Sequence, residues 1–123
     1  MKDNITYFEA SVGGFHEPPI HVTVDFLRNT VTYINASEWE LDTIILQSSK
    51  RKMSQFLNEL KKCHLFDWDI NYPNYLSIVD GSWWKCQYVI DGKTIVKSGE
   101  NNFPDEWERF CIIVSKLTGK EFS

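Results

Sequence analysis

Hydrophobic and polar positions alternate with a period of two through the first third of the chain. Phe8, Ala10 and Val12 alternate with Tyr7, Glu9 and Ser11, and Ile20, Val22, Val24 and Phe26 alternate with His21, Thr23, Asp25 and Leu27. That period predicts strands with one face on a core. Gly13-Gly14 ends the first run ahead of a loop through Pro18-Pro19. Arg28-Asn29 reads as a tight turn into a third strand, Val31 to Ile34, because asparagine tolerates the left-handed backbone that a short loop demands. Between Ser37 and Gln47, Trp39, Leu41, Thr43 and Ile45 alternate with Glu38, Glu40, Asp42 and Ile44, which predicts a fourth strand with an acidic outer face.

The period then changes. Met53, Phe56, Leu57, Leu60 and Cys63 recur three and four apart, the stripe of an amphipathic helix, with Ser48 or Ser49 placed to cap it. From Phe66 to Ile78 the chain is dense in Asp, Asn and Tyr around Pro73 and reads as an ordered loop, the kind of segment that carries recognition. Asp80-Gly81 opens a strand from Ser82 to Ile90, and Asp91-Gly92 is a two-residue turn suited to a β-hairpin returning through Lys93 to Ser98. After a polar linker, Gly99 to Asn102, Pro104 falls in a first helical turn where spare N–H groups abound, and Asp105 and Glu106 face the positive end of the helix dipole. Trp107, Phe110, Cys111, Val114 and Leu117 form that helix's apolar face and Gly119 stops it. The order β-β-β-β-α-β-β-α, with hairpins and no βαβ spacing, predicts one α+β domain over residues 1–123. Its expected form is an antiparallel sheet of about six strands with both helices on one face, the other face being free for solvent or a partner.

Composition narrows the function classes. At 123 residues with 15% aromatic content and five Trp, the chain is long enough for its own core and far from disordered sequences. Met1-Lys2-Asp3-Asn4 lacks the apolar region of a signal peptide, and Ile44-Ile45-Leu46 is too short to span a bilayer. A cytoplasmic protein with no membrane partner is the expectation. Cys63, Cys86 and Cys111 are odd in number and widely spaced, which predicts free thiols in the core in place of a disulfide, redox pair or zinc site. A formal net charge of −4 argues against direct nucleic-acid binding. The one basic cluster, Lys50-Arg51-Lys52, opens the first helix and reads as a solvated helix end.

Tests for chemistry return little. No Gly-x-Ser-x-Gly elbow is present, and His16, His21 and His64 lie in unpatterned contexts. Asp67, Asp69 and Asp80 do not follow a calcium loop, and Asp67 and Asp69 flank Trp68 as they would if Trp68 pointed inward. Gly13-Gly14 lacks the residues of a phosphate loop. The expectation is a protein with no catalytic residue, no cofactor and no metal. What remains is an aromatic and acidic surface: Glu38, Trp39, Glu40 and Asp42 on one strand, Asp67, Asp69, Tyr72 and Tyr75 in the loop, and Trp83 opposite the Trp84 face. Such residues are enriched at interface hot spots.

Asp80-Gly81-x-Trp83, a hairpin, then Gly99-x-Asn101-x-x-Pro104-x-x-Trp107-x-x-Phe110, preceded by a helix and Trp68, resembles a family of small bacterial proteins of uncharacterised function. The resemblance spans roughly residues 30 to 119 and rests on turn formers and aromatics. It implies an α+β fold and carries over no catalytic residue. It also implies, by fold-level analogy, an immunity protein of a contact-dependent growth inhibition or other polymorphic toxin system, with a toxin, such as a nuclease, as protein partner. The alternative from another class is a small-ligand or carbohydrate-binding domain built on exposed aromatics.

Overall fold

The structure, a computed structural model, describes residues 5–14, 17–36, 41–73 and 81–123. Among these described residues, seven strands and two helices follow one another as β1 (Ile5–Gly14), β2 (Glu17–Asp25), β3 (Thr30–Ala36), β4 (Leu41–Gln47), α1 (Lys50–Lys62), a 3-10 turn (Leu65–Asp67), β5 (Asn71–Tyr72), β6 (Ser82–Ile90), β7 (Lys93–Glu100) and α2 (Trp107–Thr118). One sheet holds all the strands in the order β4-β3-β2-β1-β6-β7-β5. The α+β class and the two helices match expectation, but the sheet has seven strands and is mixed, because β5 pairs parallel with β7. Two residues are too few to show any period, so sequence patterning passed over β5 as loop.

Turn chemistry sets the hairpins. Asp91 and Gly92 both take positive φ, 51° and 79°, the pair of left-handed residues that joins strands of native twist. Asn29 likewise sits at φ 55°, and Asp25 Oδ1 accepts hydrogen bonds from the backbone N–H groups of Leu27 and Arg28 at 2.9 and 3.1 Å, closing the β2–β3 turn. β7 runs two residues beyond the expected strand, through Gly99-Glu100. Gly99 is there for a close approach: a Cβ at this position would lie 2.4 Å from Trp84 Nε1 and 2.5 Å from the Asn102 carbonyl oxygen.

Ser49 is the cap of α1, its Oγ accepting from the Lys52 N–H at 3.1 Å. Phe8 meets Phe56 of α1 at 5.5 Å and Phe110 of α2 at 6.1 Å between ring centroids, so both helices cover the same face of the sheet. The core between them gathers Val22, Val24, Val31, Trp84 and Tyr88 from the strands. Met53, Phe56, Leu60 and Cys63 of the α1 stripe are buried, while Leu57 is half-buried. α2 ends at Gly119, which is left-handed at φ 73° and donates its N–H to the Ser115 carbonyl at 2.9 Å.

β4 faces the opposite way from the expectation. Ile44 and Leu46 pack on the core, whereas Ile45 is 70% exposed. Pairing with β3 decides this: Ile44 lies opposite Tyr33 and Leu46 opposite Val31, both core residues, and neighbours across a ladder share a face. The run Ile44-Ile45-Leu46 fits either parity, so the sequence alone left the face open. Asp42 therefore projects on the helix side, where its carboxylate lies 3.9 Å from Lys120 Nζ.

All three cysteines are free and buried, as expected. Burial pushes the Cys63 thiol up to about 11 and Cys111 up to about 12, and raises Cys86 further. Tyr88 rises to about 12 for the same reason. An unfolded chain ionises its thiols near 9.0 while the folded one keeps them protonated. The folded state then binds more protons, so stability held below pH 9 is lost as pH climbs through the folded values. Lys97 works in the other direction, because burial lowers its ammonium pKa below 10.5 and the folded state sheds that proton first. With three thiols and the phenols of Tyr7, Tyr33 and Tyr88 all raised by burial against one lysine, thermal melts are expected to show a level Tm from neutral pH to about 9 and a steady fall above it. A Tm that climbed between pH 9 and 11 would contradict this balance.

Candidate functional site

At the β5 end of the sheet the chain folds into a cleft. His64 leaves α1 in the left-handed region at φ 61°, which turns the backbone into the 3-10 turn Leu65–Asp67. That turn sends Leu65 and Trp68 into the core and leaves Asp67 and Asp69 exposed on either side of the indole. Lys97 holds the turn from beneath. Its side chain is 3% exposed, and its Nζ donates to the Leu65 carbonyl at 2.8 Å and lies 5.6 Å from the Tyr88 ring centre.

The opposite wall comes from the segment ahead of α2. Asn101, left-handed at φ 51°, accepts from the Ser82 N–H at 2.8 Å through Oδ1 and donates its own N–H to the Ser82 carbonyl at 2.7 Å. Asn102 Nδ2 donates to the Pro73 carbonyl at 3.0 Å, and Trp68 Nε1 donates to Glu106 Oε1 at 3.1 Å. These bonds fix the two walls relative to one another, and between them lies a cleft of about 460 Å³ carrying Asp67, Asp69, Asp105, Glu106 and His64. Asp67 approaches His64 Nδ1 at 3.9 Å, with both side chains in solvent, where such a pair contributes little. Tyr72 stands at the mouth, its hydroxyl accepting from the Asp69 N–H at 3.2 Å.

Tyr72 also belongs to the adjoining pocket of about 470 Å³, which it shares with Trp83, Lys85, Ser98 and Glu100. Trp83 is half-buried on the face away from the helices and lies against β1, where a Cβ on Gly13 would come within 2.8 Å of its ring. Glycine at position 13 lets the indole rest on the strand backbone. Glu100 is its direct cross-strand neighbour.

Of the residues singled out from sequence, Asp67, Asp69, Tyr72 and Trp83 come together on these two adjoining hollows. Asp42 does not. It sits on the far edge strand, six strand spacings or about 29 Å away along the sheet. Glu38, Trp39, Glu40 and Tyr75 lie outside the described residues, as do His16 and Asp80. Asp105 and Glu106 were read only as partners of a helix dipole; their position across from Asp67 depends on contacts 38 residues apart in the chain, as the Trp68–Glu106 bond shows. His21 bonds Ser11 across the β1–β2 ladder, with Nδ1 2.7 Å from Oγ. No group of three or more His, Cys, Asp or Glu among the described residues is arranged to hold a metal ion.

No protein-family model matches the chain, and no curated protein matches it either.

Proposed function

We propose that this chain is a non-catalytic cytoplasmic binding protein that neutralises a cognate bacterial toxin by direct contact, and that the cleft beside β5 is where it takes hold. The observation that carries the reading is the convergence of Asp67, Asp69, Asp105 and Glu106 on one braced cleft that Tyr72 also lines, with Trp83 in the adjoining pocket. A nuclease presents a basic substrate surface, and an opposed acidic cleft speeds encounter and penalises wrong partners. Tyr72 and Trp83 supply rigid aromatic area of the kind that dominates binding energy. The buried, un-ionised thiols have no access to an attacking role. Co-expression and pull-down with the product of the adjacent gene test the proposal: a stable complex and restored growth are expected, and the absence of both would reject it.

Within such a complex, Trp83→Ala is expected to cost about 2 kcal/mol of affinity, near 30-fold in Kd, while the fold persists. Calorimetric titration of wild type and variant checks this; an unchanged Kd would remove Trp83 from the interface. The pocket shared by Tyr72 and Trp83 also supports a second reading, a small ligand such as a sugar stacked on one of these rings with Glu100 and Ser98 as hydrogen-bonding partners. A thermal-shift screen of oligosaccharides separates the two readings, since a ligand at 100 times its Kd stabilises by about 2.7 kcal/mol.

A further inference from the structure

We propose that the protein forms a two-fold symmetric dimer in which the β4 strands of two copies pair antiparallel about Ile45. The sheet has two edges among the described residues, and they differ. β5 is two residues long, whereas β4 runs seven and pairs with β3 without a break from Thr30↔Gln47 to Ala36↔Leu41. Edge strands are commonly protected by proline, by charged side chains, lysine above all, or by a bulge. Leu41–Gln47 carries neither proline nor lysine, its ladder has no bulge, its single charge, Asp42, sits at the strand's start on the helix side, and Ile45 stands 70% exposed.

The occupant that best fits this edge is the edge itself. A two-fold axis at Ile45 sets Ile45 against Ile45 of the second copy on the open face, and Ile44 against Leu46 of the second copy on the helix face. Thr43 then meets Gln47 of the second copy. Branched aliphatic pairs and a Thr–Gln pair suit an antiparallel ladder. Asp42 is the only charged side chain in the strand, and it falls at the end of the ladder with Lys120 of its own chain 3.9 Å away, so no unmatched like charges are brought together. Strand pairing alone covers little area beside the roughly 1,200–2,000 Å² of a stable interface, so the dimer forms at high concentration and dissociates on dilution. Because β5 is at the other edge of the sheet, the two acidic clefts point away from each other and stay open.

Sedimentation equilibrium of the full chain from micromolar to near-millimolar concentration tests this. Wild type is expected to shift from monomer to dimer, whereas Ile45→Lys stays monomeric across the range with an unchanged far-ultraviolet circular dichroism spectrum. Thr43→Lys, on the same exposed face, serves if the first variant misfolds. Ile112→Lys, at an exposed isoleucine on α2, is expected to leave dimerisation intact. Register is read by oxidation: Ile45→Cys should cross-link two chains, because paired Cβ atoms lie about 5 Å apart, while Thr43→Cys should not. A wild type that stays monomeric throughout, an Ile45→Lys or substituted Thr43→Lys protein that still dimerises, loss of the dimer in Ile112→Lys, or cross-linking through Thr43→Cys in place of Ile45→Cys would each overturn the proposal.

Discussion

Phe110→Ala is expected to destabilise the protein by about 3 to 5 kcal/mol, enough to remove much of a small domain's stability. Phe110 is fully buried and touches four other aromatic rings: Phe8 at 6.1 Å, Trp68 at 5.3 Å, Trp107 at 5.2 Å and Phe122 at 6.1 Å between centroids. Truncation to a methyl group leaves a cavity that these large rings, themselves packed on Trp84 and Phe56, have little room to fill. Trp68 is among the rings that lose a neighbour, so the wall bearing Asp67 and Asp69 loosens too, and any loss of binding follows from loss of the fold. Leu57→Ala, at a half-buried site on α1, should cost less than the same change at fully buried Leu60. Urea unfolding of the three variants checks the ranking; a Phe110→Ala midpoint indistinguishable from wild type would show that this aromatic cluster contributes little to stability.

Reversing Asp67 and Asp69 to lysine is expected to slow association with a basic toxin by about 10-fold or more at low salt, with a modest loss of stability and the fold retained. Both carboxylates are exposed and the Asp67–His64 contact is in water, so the cost to the fold is confined to the support the two carboxylates lend the buried Lys97 ammonium. Each reversal adds two charges, so the pair takes the formal net charge from −4 to 0. Asp42→Lys with Glu59→Lys makes the same net change at sites away from the cleft and separates overall charge from local charge. That control should slow association much less, and the gap between the variants should close as salt shortens the screening length from about 10 Å at 0.1 M to about 3 Å at 1 M. Stopped-flow rates across that range provide the readout. Equal slowing by both double variants would reduce the cleft to an ordinary solvated surface.

Where backbone geometry left one solution, the chain was readable. Asp91-Gly92 and Asn29 announced their turns because few residues accept positive φ, and the stripes of α1 and α2 announced helices because only a helix brings positions three and four apart together. The face of β4 was not readable, since three consecutive aliphatic residues satisfy both parities and only the register with Tyr33 and Val31 chooses. Gly99 looked like linker because a glycine forced by Trp84 and the Asn102 carbonyl has the same local signature as a flexible one. Nothing in the return strand sets Lys97 apart from its neighbours, yet a carbonyl from a 3-10 turn 32 positions earlier gives its ammonium a buried partner. The cleft was half-legible: Asp67, Asp69 and Tyr72 stood out in one polar segment, but Asp105 and Glu106 join them only through tertiary structure.

Hydrogen–deuterium exchange on the chain alone and bound to the adjacent gene's product locates the recognition surface without any substitution. If the cleft beside β5 binds the toxin, protection should appear in the segments from Asp67 to Tyr72 and from Asn101 to Glu106, with β4 exchanging as it does in the free chain. Failure to form a complex, or protection confined to β2, β3 and β4, would contradict the proposed recognition surface.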